Sequence, residues 1–125
     1  MNVRAEADAF RQVPLFAQCD PAHLQVIAFS SDKVEFPDGA ALIRQGKTGD
    51  AGFLILRGQA RAEAADFKGA RDLGDIGPGV FVGEIGMIAG APYSITVTAV
   101  GKVIAERISR ELFLRVAREF PEFGL

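Results

Sequence analysis

Cysteine is almost missing from this chain: Cys19 is the only one in 125 residues. A lone cysteine excludes a disulfide framework and any multi-cysteine iron–sulfur centre. Long apolar runs are also missing, none approaching the roughly 18 residues of a membrane-spanning helix. The chain starts without a signal-peptide pattern, so the expected compartment is the cytoplasm and no membrane contact is expected. Neither sign of charge prevails, since 14 Lys and Arg stand against 16 Asp and Glu for a net charge of −2. The even mixture leaves no basic stripe for a phosphate backbone, which argues against direct nucleic-acid binding. Paired carboxylates, a nucleophile elbow and a cluster of metal ligands are absent as well, so the sequence offers no catalytic and no metal-binding residues.

Cys19 and His23 are four residues apart and invite a reading as nucleophile and base, or as two metal ligands. The Asp20-Pro21 step breaks regular helix between them, and no third ligand or orienting group is spaced nearby. A structural role is the better reading of both.

What is present suits one domain. A length of 125 residues with 49% hydrophobic content is enough for a real core and too short for two. Residues 1–30 read as helical: Val3, Ala7 and Phe10 recur at helical spacing up to the interruption at Pro14, and Asp20-Pro21 opens a second helix with Leu24, Ile27 and Ala28 on one face, ending near Ser30. From Lys33 the pattern changes to short extended runs punctuated by glycine, as in a β-roll or jelly roll. Pro37-Asp38-Gly39 and the Gly46 to Asp50 stretch are turns. Gly46-Lys47-Thr48-Gly49 lacks the spacing of a Walker phosphate loop and is read as structural. Phe53 to Arg57 is nearly all apolar, like a strand buried on both faces, and Gly58 marks a hairpin or a kink before the weaker run that follows. Asp66 to Gly69 is a further turn, and residues 71–81 lead back through several glycines. After Gly101-Lys102, Val103 to Ser109 reads as the final strand. Ser109 then caps a helix with Leu112, Phe113, Val116, Ala117 and Phe120 on its apolar stripe.

Residues 81–97, FVGEIGMIAGAPYSITV, form the most distinctive stretch. Gly83 removes a Cβ where a ligand would approach, and Glu84 to Ala89 can form a short helix whose first N–H groups lack internal partners, a setting that suits a phosphate. Pro92 fixes the backbone after the Gly90-Ala91 turn. Ser94, Thr96 and Thr98 then alternate with Ile95, Val97 and Ala99 as in a half-buried strand.

This stretch resembles the phosphate-binding cassette of the cyclic-nucleotide-binding domains found in catabolite-activator-type regulators, kinase regulatory subunits and gated channels. Residues 41–62 are similar to that family's strand, G-x-x-G-D turn and strand, and the resemblance covers nearly the whole chain. It implies a mainly β fold with flanking α-helices: a double-stranded β-helix, jelly-roll-like, over residues 31–108, with the helical lead-in before it and a helix from 109 to 125 after it. It implies a cyclic nucleotide, cyclic AMP or cyclic GMP, as ligand and no resident cofactor. Glu84 would accept the ribose 2′-hydroxyl, the backbone at Gly83 and Ile85 would face the cyclic phosphate, and Ser94 would supply donors to it. Tyr93 and Ile95 complete the expected contact set.

Tyr93 stands where the family pattern has the phosphate-binding arginine. A phenol cannot copy the two-pronged grip of a guanidinium. Either Tyr93 fills a pocket no longer used for a cyclic phosphate, or the ligand choice is altered. Arg44, Lys47 or Arg57 could lend charge from elsewhere. The family's last helix leads into a longer one that lids the base and often dimerises; here that helix would begin at Pro121 to Leu125, where the sequence stops, so the expectation is either a protein cut short or a domain that works without the lid. The expected function is a non-catalytic sensor with weakened or altered ligand binding. The alternatives are a degenerate fold member acting as a protein-interaction module, or the sensor half of a larger transcription regulator. A protein partner or a homodimer would read the output.

Overall fold

The computed structural model describes residues 3–120. Helix α1 (Val3–Arg11) buries Ala7 and Phe10 and gives way to a 3₁₀ turn at Pro14–Phe16. Pro14 lacks the N–H that would continue the helix. Helix α2 (Pro21–Ser30) begins as the sequence anticipates, with Pro21 at its first position and the Asp20 carboxylate accepting from the Ala22 N–H at 2.8 Å. Its inward face is Leu24, Ile27 and Ala28.

Six strands follow: β1 (Asp32–Phe36), β2 (Ala41–Ile43), β3 (Ala51–Asp66), β4 (Gly69–Ile76), β5 (Phe81–Val82) and β6 (Thr96–Ser109). All their pairings are antiparallel. The two long strands, β3 and β6, pair with each other and exchange their outer neighbours halfway along. The first part of β3 has β5 on its other edge and the second part has β4; β6 carries β2 on its first part and β1 on its second. Between the halves the β3–β6 register shifts on either side of Arg57, the mark of bulges that bend a sheet. Gly58 sits at this bend with φ +93°, and a Cβ on it would run into the Lys102 carbonyl oxygen. The sheet thereby rolls up, giving the expected β-roll with helices packed on its flank.

Of the hairpin or kink read at Gly58, the structure has the kink, within a continuous β3. Gly101 differs from the sequence reading, since it lies inside β6 rather than before the final strand. Both glycines accommodate the same bend, so a turn residue here marks curvature rather than chain reversal. Residues 69–76, read as a connecting stretch, are strand β4, which returns from the Asp66–Gly69 turn to pair with the outer half of β3. Nearly every residue of β4 is exposed, so it carries none of the apolar alternation by which strands are recognised.

Two cores result. Phe53 and Ile55 point into the roll with Leu42, Val97 and Val103, while Leu54 between them points to the helices with Phe10, Phe16, Leu24 and Phe113. The apolar run in β3 is thus a strand with a core on each face. Helix α4 (Arg110–Glu119) closes the helical side, with the Ser109 hydroxyl accepting from the Leu112 N–H at 3.0 Å. The expected continuation at Pro121 to Leu125 lies outside the described residues.

A polar group bridges the helices and the roll. Glu106 of β6 is only 1% exposed, and its carboxylate accepts from the Ser31 hydroxyl at 2.7 Å. Glu6 of α1 hydrogen bonds to the same carboxyl and pairs with Lys33 at 3.0 Å. Burial pushes the Glu106 carboxyl above its ordinary value near 4.5; the Ser31 hydroxyl opposes this, the neighbouring Glu6 adds to it, and Lys33 opposes it. A raised folded-state value means that the folded protein binds more protons than the unfolded chain across that interval. The contribution is therefore fully present below the ordinary glutamate value and is lost as pH rises through the raised one. In urea denaturation between acidic and neutral pH, Glu106→Gln is expected to flatten this decline and to be the more stable protein at pH 7 relative to its stability at acidic pH. Identical pH slopes for the two proteins would show that Glu106 ionises as freely folded as unfolded.

Candidate ligand-binding site

Helix α3 (Glu84–Ala89) is bounded by glycines in the left-handed region, Gly83 at its start and Gly90 at its end. Its two buried residues, Gly86 and Met87, face opposite sides. Met87 is fully buried on the helical side. Gly86 lies on the other side against the ring of Tyr93, where a Cβ would come within 2.7 Å of the Tyr93 Cε1 atom and would also press on the Gly49 backbone. Only glycine lets the helix, the ring and the 46–50 loop close together here.

Tyr93 is 7% exposed. Its hydroxyl donates to the Ala51 carbonyl at 2.7 Å and accepts from the Ala51 and Asp50 N–H groups at 3.2 and 3.3 Å. The backbone on either side is equally occupied. Gly49 N–H donates to the Ala91 carbonyl, Tyr93 N–H to the Lys47 carbonyl and Gly46 N–H to the Tyr93 carbonyl, all at 2.9 Å. The Gly46-Lys47-Thr48-Gly49 loop is therefore a structural strap over residues 91–93, with amides of both its glycines consumed inside the fold.

Beside α3 opens a cavity of about 380 Å³, within the range of small-molecule sites. Gly83, Glu84, Ile85, Tyr93, Ser94 and Ile95, the residues picked out from the sequence, all line it. Its remaining walls are Ile43, Ala62, Ile76, Val80, Phe81, Val82, Gly86 and Pro92. Three of these, Ile43, Ala62 and Ile76, come from strands distant in sequence and carry only generic apolar character, so nothing in the sequence singles them out. The other five lie within the cassette or directly before it. Glu84 and Ser94 are exposed at the cavity, as is the Ile85 side chain.

The three cations considered from the sequence lie elsewhere. Arg44 and Lys47 line a second hollow of about 250 Å³, which also contains Asp50 and shares only Ile43 and Tyr93 with the first. Arg57 lines neither. Among the described residues the cavity wall carries one formal charge, Glu84. Cys19 is buried, and the His23 ring stacks on Phe120 with centroids 3.6 Å apart, so both serve packing. Among the described residues no group of three His, Cys, Asp or Glu side chains is placed to hold a metal, and no helix is long and apolar enough to cross a membrane.

Comparison with known proteins gives this geometry a family. The cyclic nucleotide-binding domain profile matches residues 33–120. A cyclic nucleotide-gated potassium channel of Mesorhizobium japonicum is 31% identical over 112 residues, 90% of this chain and 30% of the channel. A cAMP-dependent protein kinase regulatory subunit of Aspergillus fumigatus is 30% identical over 105 residues, 84% of this chain and 25% of that subunit. The chain thus spans less than a third of the length of these relatives. Among solved structures, a cyclic nucleotide-binding-like protein from Brucella abortus superposes with a TM-score of 0.82 at 25% identity, covering 91% of this chain and 98% of that one. With a family match over most of its length, a β-roll flanked by helices and the cassette geometry at residues 83–95, this chain belongs to the cyclic nucleotide-binding domain family.

Proposed function

We propose that this chain is a non-catalytic, ligand-sensing regulatory domain that takes a nucleotide-like ligand in the α3 cavity. The observation that carries the reading is the convergence of Glu84, Ser94 and the Gly83–Ile85 backbone on one apolar cavity of suitable size. An ionised carboxylate only accepts hydrogen bonds, so Glu84 matches the hydroxyls of a sugar, and the apolar walls match a flat base. Ile95 and Ile85 supply apolar contact, and Ser94 supplies a hydroxyl donor. Tyr93 serves as a wall of the cavity.

The same reading sets a weak hold on a cyclic phosphate. A charge-assisted hydrogen bond is worth about 1.5–3 kcal/mol, and each 1.4 kcal/mol is tenfold in affinity. Replacing the arginine of the family pattern by a tyrosine whose hydroxyl is bound to Ala51 therefore costs about 10- to 100-fold in affinity for cyclic AMP or cyclic GMP. In this reading the domain works in the cytoplasm, without contact to nucleic acid or membrane. Its output passes to a protein partner, a second copy, or an effector region of a larger regulator, in keeping with the small share of its relatives' length that it spans.

A second reading, a fold member retained as a protein-interaction module, is favoured by one observation: the Tyr93 side chain is wholly committed to packing. Calorimetric titration separates the two. On the sensor reading, cyclic AMP and cyclic GMP bind weakly, Glu84→Ala removes the binding, and Tyr93→Arg tightens it by about 10- to 100-fold. An unchanged affinity in Tyr93→Arg would show that the arginine is not what limits binding. Absence of heat from every nucleotide and nucleoside up to millimolar concentration would favour the interaction module.

Tyr93→Phe isolates the structural share of this residue. It keeps the ring and removes the hydroxyl from the Ala51 peptide, leaving a buried N–H with its partner gone, and is expected to lower stability by about 1–3 kcal/mol. Urea denaturation measures the loss. A change below about 0.5 kcal/mol, the level of ordinary surface substitutions, would mean that the hydroxyl contributes nothing to the fold.

A further inference from the structure

The cavity's charge inventory narrows the ligand further, resting on the reading that this cavity is a ligand site. We infer that its preferred occupant is uncharged: a nucleoside with a free vicinal diol rather than a phosphorylated or cyclic nucleotide.

Three observations converge. First, among the described residues Glu84 is the only charged side chain on the cavity wall, and no Lys, Arg or His reaches that wall. Among the described residues Glu84 makes no ion pair. It therefore presents a net negative charge to whatever enters. Glu84 is exposed, so water screens part of this repulsion, but no cation on the wall offsets it, and an anionic ligand finds no countercharge there. Second, Arg44 and Lys47 belong to the other hollow, and Ile43 and Tyr93 are the wall that the two hollows share. The Tyr93 ring is held in that wall by its hydroxyl bonds to Ala51 and by close packing on Gly86. A phosphate in the cavity meets no cation unless this wall opens.

Third, what the cavity does offer is complementary to an uncharged nucleoside. Glu84 accepts two hydroxyl donors, and charge-assisted bonds of this type are among the stronger ones. Ile76, Val80, Phe81, Val82 and Ile95 provide apolar surface for a planar base. A simple sugar would leave those walls without a partner, and an aromatic without a diol would leave Glu84 without one.

The test is calorimetric titration of the full chain, at two ionic strengths, with adenosine, guanosine, their 2′-deoxy forms, and cyclic AMP and cyclic GMP. At least one nucleoside is expected to bind tenfold or more tightly than its cyclic nucleotide, with an affinity insensitive to salt. Its 2′-deoxy form is expected to lose at least tenfold. Glu84→Gln, a change at an exposed position, is expected to weaken the nucleoside and to narrow its advantage over the cyclic nucleotide, because the repelling charge is gone. A cyclic nucleotide binding as tightly as its nucleoside, or more tightly, overturns the inference while leaving the ligand site intact. Equal affinity for the deoxy form overturns the role of the diol. Failure of all six compounds to bind at millimolar concentration overturns the inference together with the sensor reading.

Discussion

The fold depends on the contact between the Tyr93 hydroxyl and the Ala51 peptide. Two hydrogen bonds join two chain segments here: the hydroxyl donates to the Ala51 carbonyl and accepts from the Ala51 N–H. The ring is thereby pinned under α3, and α3 reaches the ring only because Gly86 has no side chain. One residue earlier, the Asp50 carbonyl accepts from Arg110 N–H at 2.7 Å, where α4 begins. Within two residues of β3, the cassette, the strap loop and the last helix are tied to one stretch of backbone. Leaving the buried Ala51 peptide without its partner costs more than an ordinary bond contributes, which helps hold these elements in register.

The position therefore has two incompatible uses. A guanidinium at residue 93 would serve an anion in the cavity, but it could not stay under α3, where a buried charge without a partner is costly. A phenol suits that buried place, with an apolar ring for the glycine face of the helix and a hydroxyl for the peptide beyond it. Tyr93 thus serves the fold through both its ring and its hydroxyl. Recognition is then set by what else lines the cavity, where the one charged side chain among the described residues is Glu84.

Much of this was legible in the sequence because the signals were local. Asp20-Pro21 and Ser109 start helices by direct capping bonds. The cassette's order of glycine, short helix, turn and strand is written in consecutive residues, and so is the set of cavity residues from Gly83 to Ile95. The less legible parts are those that depend on distant chain. Gly58 and Gly101 announce unusual backbone, but whether such a glycine reverses the chain or bends a strand depends on its partner strand, here each other's neighbourhood. Strand β4 has no buried face and hence no pattern. The direction of the Tyr93 side chain depends on Gly86 and Ala51, neither of which advertises a tyrosine, so the sequence does not show where the side chain at this position points.

The cavity is also mechanically continuous with the helical lead-in. Phe81 lines the cavity, its ring meets Phe16 edge-to-face at 5.7 Å, and Phe16 meets Phe10 of α1 in the same manner at 5.6 Å. Behind Phe81 lies Gly52, where even a Cβ would be only 2.5 Å from the ring, so the ring has no slack toward β3. Helix α1 is held to the roll by the Glu6, Lys33 and Glu106 group, a polar contact that tolerates movement less well than an apolar one, because a shifted buried carboxyl loses its hydrogen bonds. Phe81, through Phe16 and Phe10, and the polar group at Glu106 thus both bear on α1.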